Sequence, residues 1–307
     1  MTATVSNKES AVKQRYTAAA SAPEAALCCP VEYDARYLAI IPQEVIEKDY
    51  GCGDPSRHIR AGETILDLGS GAGKICFIAA QVVGPNGKVI GVDMNDAMIE
   101  VAQRNAPVVA NQLGYANVEF RKGRIQDLAL DLHKFEPAQT QPTTSPLDDY
   151  LANEDIAEHL RLNEPLVSTA SIDVVVSNCV LNLVQPAAKR QLFREIYRVL
   201  RTGGRAVISD IVSDTAVPNS MQADPDLWSG CISGAMQEQE FLSAFENAGF
   251  NAVVVLQRQE TPWRVVNGIE FRSVTIEARK SSPVPFQTQT VFQISNAPQT
   301  VCGTNCC

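Results

Sequence analysis

The chain has 307 residues, of which 45% are hydrophobic and 20% charged, and this composition predicts one large globular domain or one domain with a small appendage. A formal net charge of -9 disfavours nucleic acid and anionic membrane surfaces as partners. No apolar run reaches the roughly 18 residues that a membrane-spanning helix requires, and residues 1–21 lack the apolar centre of a secretory signal, so we expect a cytoplasmic protein without a membrane partner.

The first two segments of the chain differ in their hydrophobic pattern. Residues 1–30 have little core-forming pattern, and we expect a flexible arm that carries the adjacent cysteines Cys28 and Cys29. Residues 31–212 alternate short β-rich runs with helical stretches. Strands are predicted at residues 64–68, 88–93, 118–122, 172–177 and 205–211, and helices at residues 72–83, 96–113 and 187–200. Apolar strands alternating with helices indicate an α/β fold with a doubly wound, mostly parallel sheet covered on both faces.

Two further segments depart from this alternation. Residues 131–169 contain three prolines and then a charged helical stretch near residues 151–162, which predicts a surface insertion. Residues 213–280 begin as a loop-rich stretch and are expected to form a smaller C-terminal substrate-binding region with an antiparallel edge of the sheet. Within them, a helix is predicted at residues 237–248 and strands at residues 251–257 and 271–278.

Nine cysteines in a chain expected to be cytoplasmic need an explanation other than a secreted disulfide framework. The absence of any CxxC pair argues against a structural zinc site. Residues 281–307 are rich in Pro, Gln and Thr and predict a flexible tail. Its cysteines Cys302, Cys306 and Cys307 form either a second thiol site or a dispensable end.

The strongest local motif is LDLGSGAGK at residues 66–74, directly after the first predicted strand. Glycines at Gly69, Gly71 and Gly73 let the backbone turn sharply and approach a ligand closely, although a tight strand–helix turn without a ligand would use them too. Asp93 ends the second strand about 20 residues later, where a carboxylate can accept hydrogen bonds from both ribose hydroxyls. Such a ribose site suits NAD and S-adenosylmethionine equally.

Two details favour the methyl donor. Asp67 precedes the glycines, where it can face the positively charged amino-acid part of S-adenosylmethionine, and the loop lacks the final glycine spacing of the NAD fingerprint. The segment GRIQD at residues 123–127 is placed to cover the adenine. With these motifs, residues 1–212 resemble class I S-adenosylmethionine-dependent methyltransferases, which implies a Rossmann-like, seven-stranded sheet with an antiparallel last strand. The implied cofactor-binding residues are Asp67, Gly69, Ser70, Gly71, Gly73, Asp93, Met94, Gly123, Arg124, Ile125 and Asn178.

Three other cysteines lie where chemistry is expected. Cys179 follows the fourth predicted strand, at the sheet edge where doubly wound folds bind ligands. Cys52 lies in YGCGD and Cys231 in WSGCISGA, and glycine neighbours favour accessible thiols. The alternatives are a buried core thiol for Cys179 and incidental loop cysteines for the other two. Cys76, within KICFIAA, has the pattern of a core residue.

The sequences YGCGD, SNCVLNLV and DLWSGCISGAM together resemble the arsenite methyltransferase family over residues 34–278. The resemblance implies arsenite or its thiol conjugates as substrate, with Cys179 and Cys231 as core ligands of As(III) and Cys52 as the third sulfur. Cys28 and Cys29 occupy the place of the family's mobile N-terminal cysteine. The product would be a methylated arsenical in arsenic detoxification or metabolism. The insertion at residues 131–169 departs from the commoner, shorter form of the family.

Trivalent arsenic is soft and prefers thiolate ligands, and a three-sulfur arsenic centre keeps a lone pair that can attack a methyl group without a general base. The three histidines, His58, His133 and His159, are therefore expected at the surface. Cys28 or Cys29 with Cys52 is predicted to return the oxidised arsenic to the trivalent state as a disulfide forms, which a thiol reductant such as thioredoxin or glutathione then reduces. The rival hypotheses are a small-molecule C- or O-methyltransferase and a non-catalytic arsenite-binding protein.

Overall fold

The computed structural model describes residues 8–22, 24, 31–139 and 145–281. The strands are β1 (Thr64–Leu68), β2 (Lys88–Asp93), β3 (Val118–Lys122), β4 (Ile172–Asn178), β5 (Leu200–Ser213), β6 (Met236–Gln237), β7 (Ala252–Arg258), β8 (Arg264–Val266) and β9 (Ile269–Arg279). The helices are α1 (Lys8–Ser21), α2 (Ala35–Leu38), α3 (Gln43–Glu47), α4 (Lys74–Val83), α5 (Asp96–Leu113), α6 (Leu132–Ala138), α7 (Pro146–Asn163), α8 (Pro186–Val199), α9 (Asn219–Gln222), α10 (Pro225–Ser229) and α11 (Glu238–Asn247). None of these helices combines the length and the apolar character that crossing a membrane would need.

The sheet has the order β3-β2-β1-β4-β5-β9-β7. Strands β1 to β5 are parallel, whereas β9 runs antiparallel to both β5 and β7. The short strands β6 and β8 pair with β5 and β9 outside this path. The predicted seven-stranded, mostly parallel α/β fold with an antiparallel edge is therefore confirmed.

The central strands are buried because their side chains are apolar on both faces. In β4, residues 172–177 are all buried, as a parallel strand covered by helices on both sides requires. One face packs against α8 and α11 through Phe193, Phe241 and Phe245, whose rings meet edge to face. Strands β2 and β3 lie on one side of β1, and β4 and β5 lie on the other side. The carboxyl ends of β1 and β4 therefore border a cleft at this change of direction.

The expectation of a pattern-free N-terminal arm is wrong for residues 8–21. These residues form α1, in which Val12, Ala19 and Ala20 are buried. Helix α1 contacts α5 on the cofactor side and α10 in the C-terminal region. Its low amphipathicity explains the error, because short alanine side chains rather than an apolar stripe make the contact. Cys28 and Cys29 lie outside the described residues, as do the tail cysteines.

The insertion folds back on the domain through α6 and α7. Leu130, Ala157 and Leu160 form a small apolar cluster, and Arg161 pairs with Asp127 at 2.9 Å. Helix α7 begins at Pro146, earlier than the predicted stretch, because a proline at the first helical turn costs no hydrogen bond. Both helices lie on the surface, as expected.

Candidate functional site

A cleft of about 1030 Å³, measured to its open mouth, lies at the carboxyl ends of β1, β2 and β4. Residues from the glycine loop, from the end of β2 and from the turn after β4 line it. Helix α1 forms one wall through Glu9, Val12, Lys13 and Tyr16. The cleft thus has the position at which doubly wound sheets bind nucleotide-like ligands.

The glycine loop shapes the floor of this cleft. Gly69 and Gly71 have φ of +68° and +51°, and the Gly71 N–H donates to Asp93 Oδ2 at 2.9 Å. A Cβ on Gly69 would lie 2.4 Å from the Val180 side chain, so only glycine allows this approach. Ser70 Oγ is buried in the cleft and has no hydrogen-bond partner among the described residues, and a polar ligand would satisfy it. Gly73 does not line the cleft. It has a φ of +91°, and a Cβ at this position would lie 2.8 Å from the Phe120 ring.

Two carboxyl groups face the cleft from the ends of β1 and β2. Burial, together with the negative charges of Asp49 and Asp93, raises the pKa of Asp67 to about 7. The Cys76 thiol donates a hydrogen bond to Asp67 at 3.2 Å, which opposes that rise. Burial also raises the pKa of Asp93. A ligand with positive charge would therefore be drawn to this end of the cleft.

The affinity for S-adenosylmethionine is expected to rise as pH increases from 6 to 8. Asp67 becomes ionised through a pKa of about 7, and only its carboxylate attracts the cationic amino-acid part of the cofactor. The dissociation constant should fall by up to about tenfold per pH unit below that pKa. Isothermal titration at several pH values measures it.

Asp67→Asn is the control, because the cofactor's own titration is common to both proteins and cancels in their ratio. The free energy of unfolding of the unliganded protein should change with pH in the opposite direction to cofactor affinity. The folded pKa lies above the ordinary value of 3.8, so the folded chain keeps a proton that the unfolded chain has lost, and stability falls as pH rises from about 4 to 7. Equal pH profiles for both proteins would contradict this role of Asp67.

The other predicted cofactor residues divide into two groups. Met94, Gly123, Ile125 and Asn178 line the cleft. The Arg124 side chain instead forms an ion pair with Glu9 of α1 and does not line the cleft. Contact of this segment with the adenine stays a prediction for the neighbours of Arg124, while Arg124 itself binds α1 to the domain.

A cluster of sulfur atoms adjoins the cleft. Cys52 Sγ, Cys179 Sγ and a carboxylate oxygen of Asp210 all lie within 4.8 Å of one another, and all three residues are buried. The Cys231 thiol donates to the Cys179 carbonyl oxygen at 3.1 Å. We call Cys52, Cys179, Cys231 and Asp210 the thiol centre. Apolar side chains surround it, including the fully buried Trp228.

The Asn178 side chain holds Cys52 in this centre. Its Oδ1 accepts from the Cys52 and Gly53 N–H groups at 2.8 and 3.1 Å, and its Nδ2 donates to the Gly53 carbonyl at 2.8 Å. A Cβ on Gly51 would lie 2.0 Å from Asn178 Nδ2, which explains one glycine beside Cys52. Ser273 Oγ donates to the Cys52 carbonyl at 2.6 Å. The end of β4 therefore fixes a loop that is distant in sequence.

Cys179 and Cys231 both have left-handed backbone conformations. Their φ values are +64° and +61°, and in the described part of the chain only two other non-glycine residues share this region. Each such conformation costs a residue with a Cβ roughly 1–2 kcal/mol. Strain of this kind persists where surrounding contacts impose it and is concentrated at functional sites. Here both residues with this backbone conformation belong to the thiol centre.

Comparison with known proteins identifies the family to which the chain belongs. A family model described as a methyltransferase domain matches residues 59–140 and 152–249, more than half of the chain. The chain belongs to the class I S-adenosylmethionine-dependent methyltransferases. Its cofactor is accordingly S-adenosylmethionine, and the cleft provides the orphaned Ser70 hydroxyl and the two acids that such a ligand needs.

Several relatives of this methyltransferase carry the name arsenite methyltransferase. The protein from Halobacterium salinarum is 37% identical over 257 residues, which cover 81% of this chain and 54% of the relative. The human protein is 30% identical over 254 residues, covering 80% and 58%. The crystal structure of an arsenic(III) S-adenosylmethionine methyltransferase from Chlamydomonas reinhardtii is 31% identical, with a TM-score of 0.61, covering 85% of this chain and 75% of that one. The methyltransferase spans little more than half the length of these curated relatives.

One sequence-based expectation about the cysteines needs correction. The thiols of Cys52, Cys179 and Cys231 are buried rather than accessible, with only 4–5% of each residue exposed, because apolar side chains pack around them. The Cys231 thiol is turned to the Cys179 carbonyl, so the three-sulfur ligand set stays a prediction. Cys76 is a core residue, as predicted.

Sequence reasoning missed three residues of this methyltransferase site. Asp210 lies within β5, and an acidic residue between the buried apolar residues of a strand was the available signal. Tyr16 lines the cleft, and burial together with the nearby thiols of Cys231 and Cys179 raises its pKa. Lys189 of α8 is buried and donates to the Gly234 carbonyl at 2.6 Å. No sequence motif distinguishes the last two. None of the three histidines lines the cleft, and His133 and His159 are exposed.

Proposed function

We propose that this methyltransferase transfers a methyl group from S-adenosylmethionine to As(III) held by Cys52, Cys179 and Cys231. The observation that carries the proposal is the position of Cys179. It lines the cofactor cleft together with Asp67 and Asp93, and its sulfur also belongs to the thiol centre. An atom bound to this sulfur would therefore lie beside the cofactor.

The chemistry of the thiol centre suits a soft atom. Thiolates are the preferred ligands of soft, thiophilic ions, and the apolar surroundings exclude competing water. Binding of As(III) by all three sulfurs requires Cys231 Sγ to leave the Cys179 carbonyl, to which it now donates. Arsenite brings hydroxyl groups that leave as water with the thiol protons, so binding needs no external base.

The catalytic contribution of the chain is positioning. When bound, S-adenosylmethionine supplies an electrophilic methyl group on a cationic sulfur. The two strained cysteines and the Asn178 clamp hold the acceptor in one place, and such alignment can supply roughly 7–11 kcal/mol.

Repeated turnover needs a reductant. We propose that Cys28 or Cys29, which lie outside the described residues, forms a disulfide with Cys52 while the oxidised arsenic gains two electrons. A thiol reductant such as thioredoxin or glutathione then reduces that disulfide. A cytoplasmic location, where such thiols are abundant, suits this cycle.

The test is an assay of purified protein with arsenite, S-adenosylmethionine and a thiol reductant. We expect methylated arsenic and an equal amount of S-adenosylhomocysteine. Arsenite binding without consumption of the cofactor would instead indicate a binding protein. Methylation of an organic acceptor with no arsenic product would indicate a small-molecule C- or O-methyltransferase.

A further inference from the structure

A carboxylate in the middle of a thiol centre is unusual because it adds negative charge where thiolates must form. Asp210 is fully buried, and one of its oxygens lies within 4.8 Å of both Cys52 Sγ and Cys179 Sγ. Removing a carboxylate from water costs several kcal/mol that its partners must offset, so its presence calls for an explanation. Hydrogen bonding alone does not require it, since a neutral side chain could cap the same turn.

The surroundings of Asp210 hold its carboxylate in a fixed position. Its oxygens accept from the Leu181 N–H at 2.9 Å, from Asn182 Nδ2 at 2.8 Å and from the Ile211 N–H at 2.8 Å. Burial raises the pKa of Asp210 to about 6, and these hydrogen bonds and the nearby ammonium of Lys189 oppose that rise, so the group is ionised at pH values above about 6. The carboxylate therefore faces the sulfurs as a preorganised negative charge.

We propose that Asp210 stabilises the positive charge that develops on arsenic during methyl transfer. This inference rests on the proposed function. In the transfer, the arsenic lone pair forms the new As–C bond, and the C–S bond of the cofactor breaks with its electrons passing to sulfur. The sulfonium loses its positive charge and the arsenic bound to the cysteines gains it. A fixed carboxylate beside the arsenic ligands lowers the energy of that charge and contributes little to the neutral three-sulfur state.

The competing explanation is that Asp210 only holds the Leu181–Leu183 turn and balances Lys189. The two roles differ in what they stabilise. A structural role affects folding and arsenite affinity, whereas the electrostatic role affects the methyl-transfer step and the binding of cations. An experiment must therefore measure binding and chemistry separately.

Asp210→Asn is the main variant, because it removes the charge with little change of shape. Single-turnover methyl transfer should slow by about 10²–10³-fold, as when one preorganised stabilising group is removed. The arsenite dissociation constant, followed by the fluorescence of Trp228 and Trp263 beside the thiol centre, should change by less than about threefold. The affinity for Cd²⁺, measured by its thiolate charge-transfer absorption, should fall more than tenfold because this probe brings net positive charge.

Asn182→Ala is the matched control, since it removes one donor to Asp210 and loosens the same turn without removing the charge. It should lower the melting temperature and leave the ratio of Cd²⁺ to arsenite affinity unchanged.

Equal losses of arsenite affinity and methyl-transfer rate in Asp210→Asn would overturn the proposal. If Asp210→Asn does not fold, Asp210→Glu decides. It keeps the charge, so a ratio of Cd²⁺ to arsenite affinity more than about tenfold below that of the wild type would overturn the proposal. A wild-type protein that never methylates arsenite would refute the proposed function instead. An active wild type with an unaffected Asp210→Asn variant refutes this inference alone.

Discussion

Replacing Cys179 by serine is expected to abolish arsenite methylation while leaving S-adenosylmethionine binding intact. A hydroxyl oxygen is a hard, weakly acidic donor that does not replace a thiolate toward a soft atom. Because Cys179 joins the thiol centre to the cleft, its loss removes both the ligand and the alignment. We expect a rate at least about 10³-fold lower, equivalent to roughly 4 kcal/mol of barrier. Cys231→Ser should behave similarly.

Serine is the appropriate replacement because it keeps the Cβ and hence the left-handed backbone strain at φ of +64°. Melting temperature and cofactor affinity should therefore stay close to those of the wild type. The readout is methylated arsenic per enzyme at saturating cofactor, with the dissociation constant of S-adenosylmethionine measured alongside. A Cys179→Ser protein that methylates arsenite at the wild-type rate would refute the proposed ligand set.

Truncating Trp228 to alanine is expected to cause the largest loss of stability of any single change around the thiol centre. Trp228 is fully buried, and its Nε1 donates to the Leu183 carbonyl at 3.1 Å. The Lys8 ammonium of α1 lies 3.8 Å from its ring centroid. Removing a buried tryptophan costs about 3–5 kcal/mol through lost burial and a residual cavity. Chemical denaturation of the cofactor-free protein measures the free energy of unfolding.

Trp228→Phe is the control that separates packing from hydrogen bonding. It keeps an aromatic ring but leaves the Leu183 carbonyl without its donor, so we expect a smaller loss of about 1–3 kcal/mol. Arsenite affinity should follow the same order, because the Trp228 ring packs in the apolar shell that contains Cys179 and Cys231. A Trp228→Ala protein as stable as the wild type would mean that this region folds independently of the ring.

The strands of the nucleotide-binding half were predictable because their pattern is local. Strands β1, β2 and β3 coincide with the predicted residues. β1 and β2 are short, mostly apolar runs, and β3 alternates apolar and charged residues over its first four positions. The wrong expectation for α1 has an equally physical cause. Its contacts come from alanines and from polar bonds such as Asn95 Nδ2 to Thr17 Oγ1 at 3.1 Å, which leave no periodic signal.

The candidate site was predictable only in part. Cysteine contexts identified Cys52, Cys179 and Cys231, and the structure places them in one apolar cluster. It did not follow from the sequence that Asn178, expected to bind the cofactor, would clamp the Cys52 loop. Side-chain partners across 126 residues of chain depend on the fold, and no local pattern encodes them.

The sequence by itself determined the α/β class and the glycine loop with Asp67 and Asp93. These features depend on residue type and on spacing within a few turns of chain, where backbone geometry is fixed by local chemistry. Only the tertiary structure decided that the thiols are buried and that Asp210 stands among the sulfurs. Those facts arise from long-range packing, in which residues far apart in the chain become neighbours because the sheet brings the ends of β4 and β5 together.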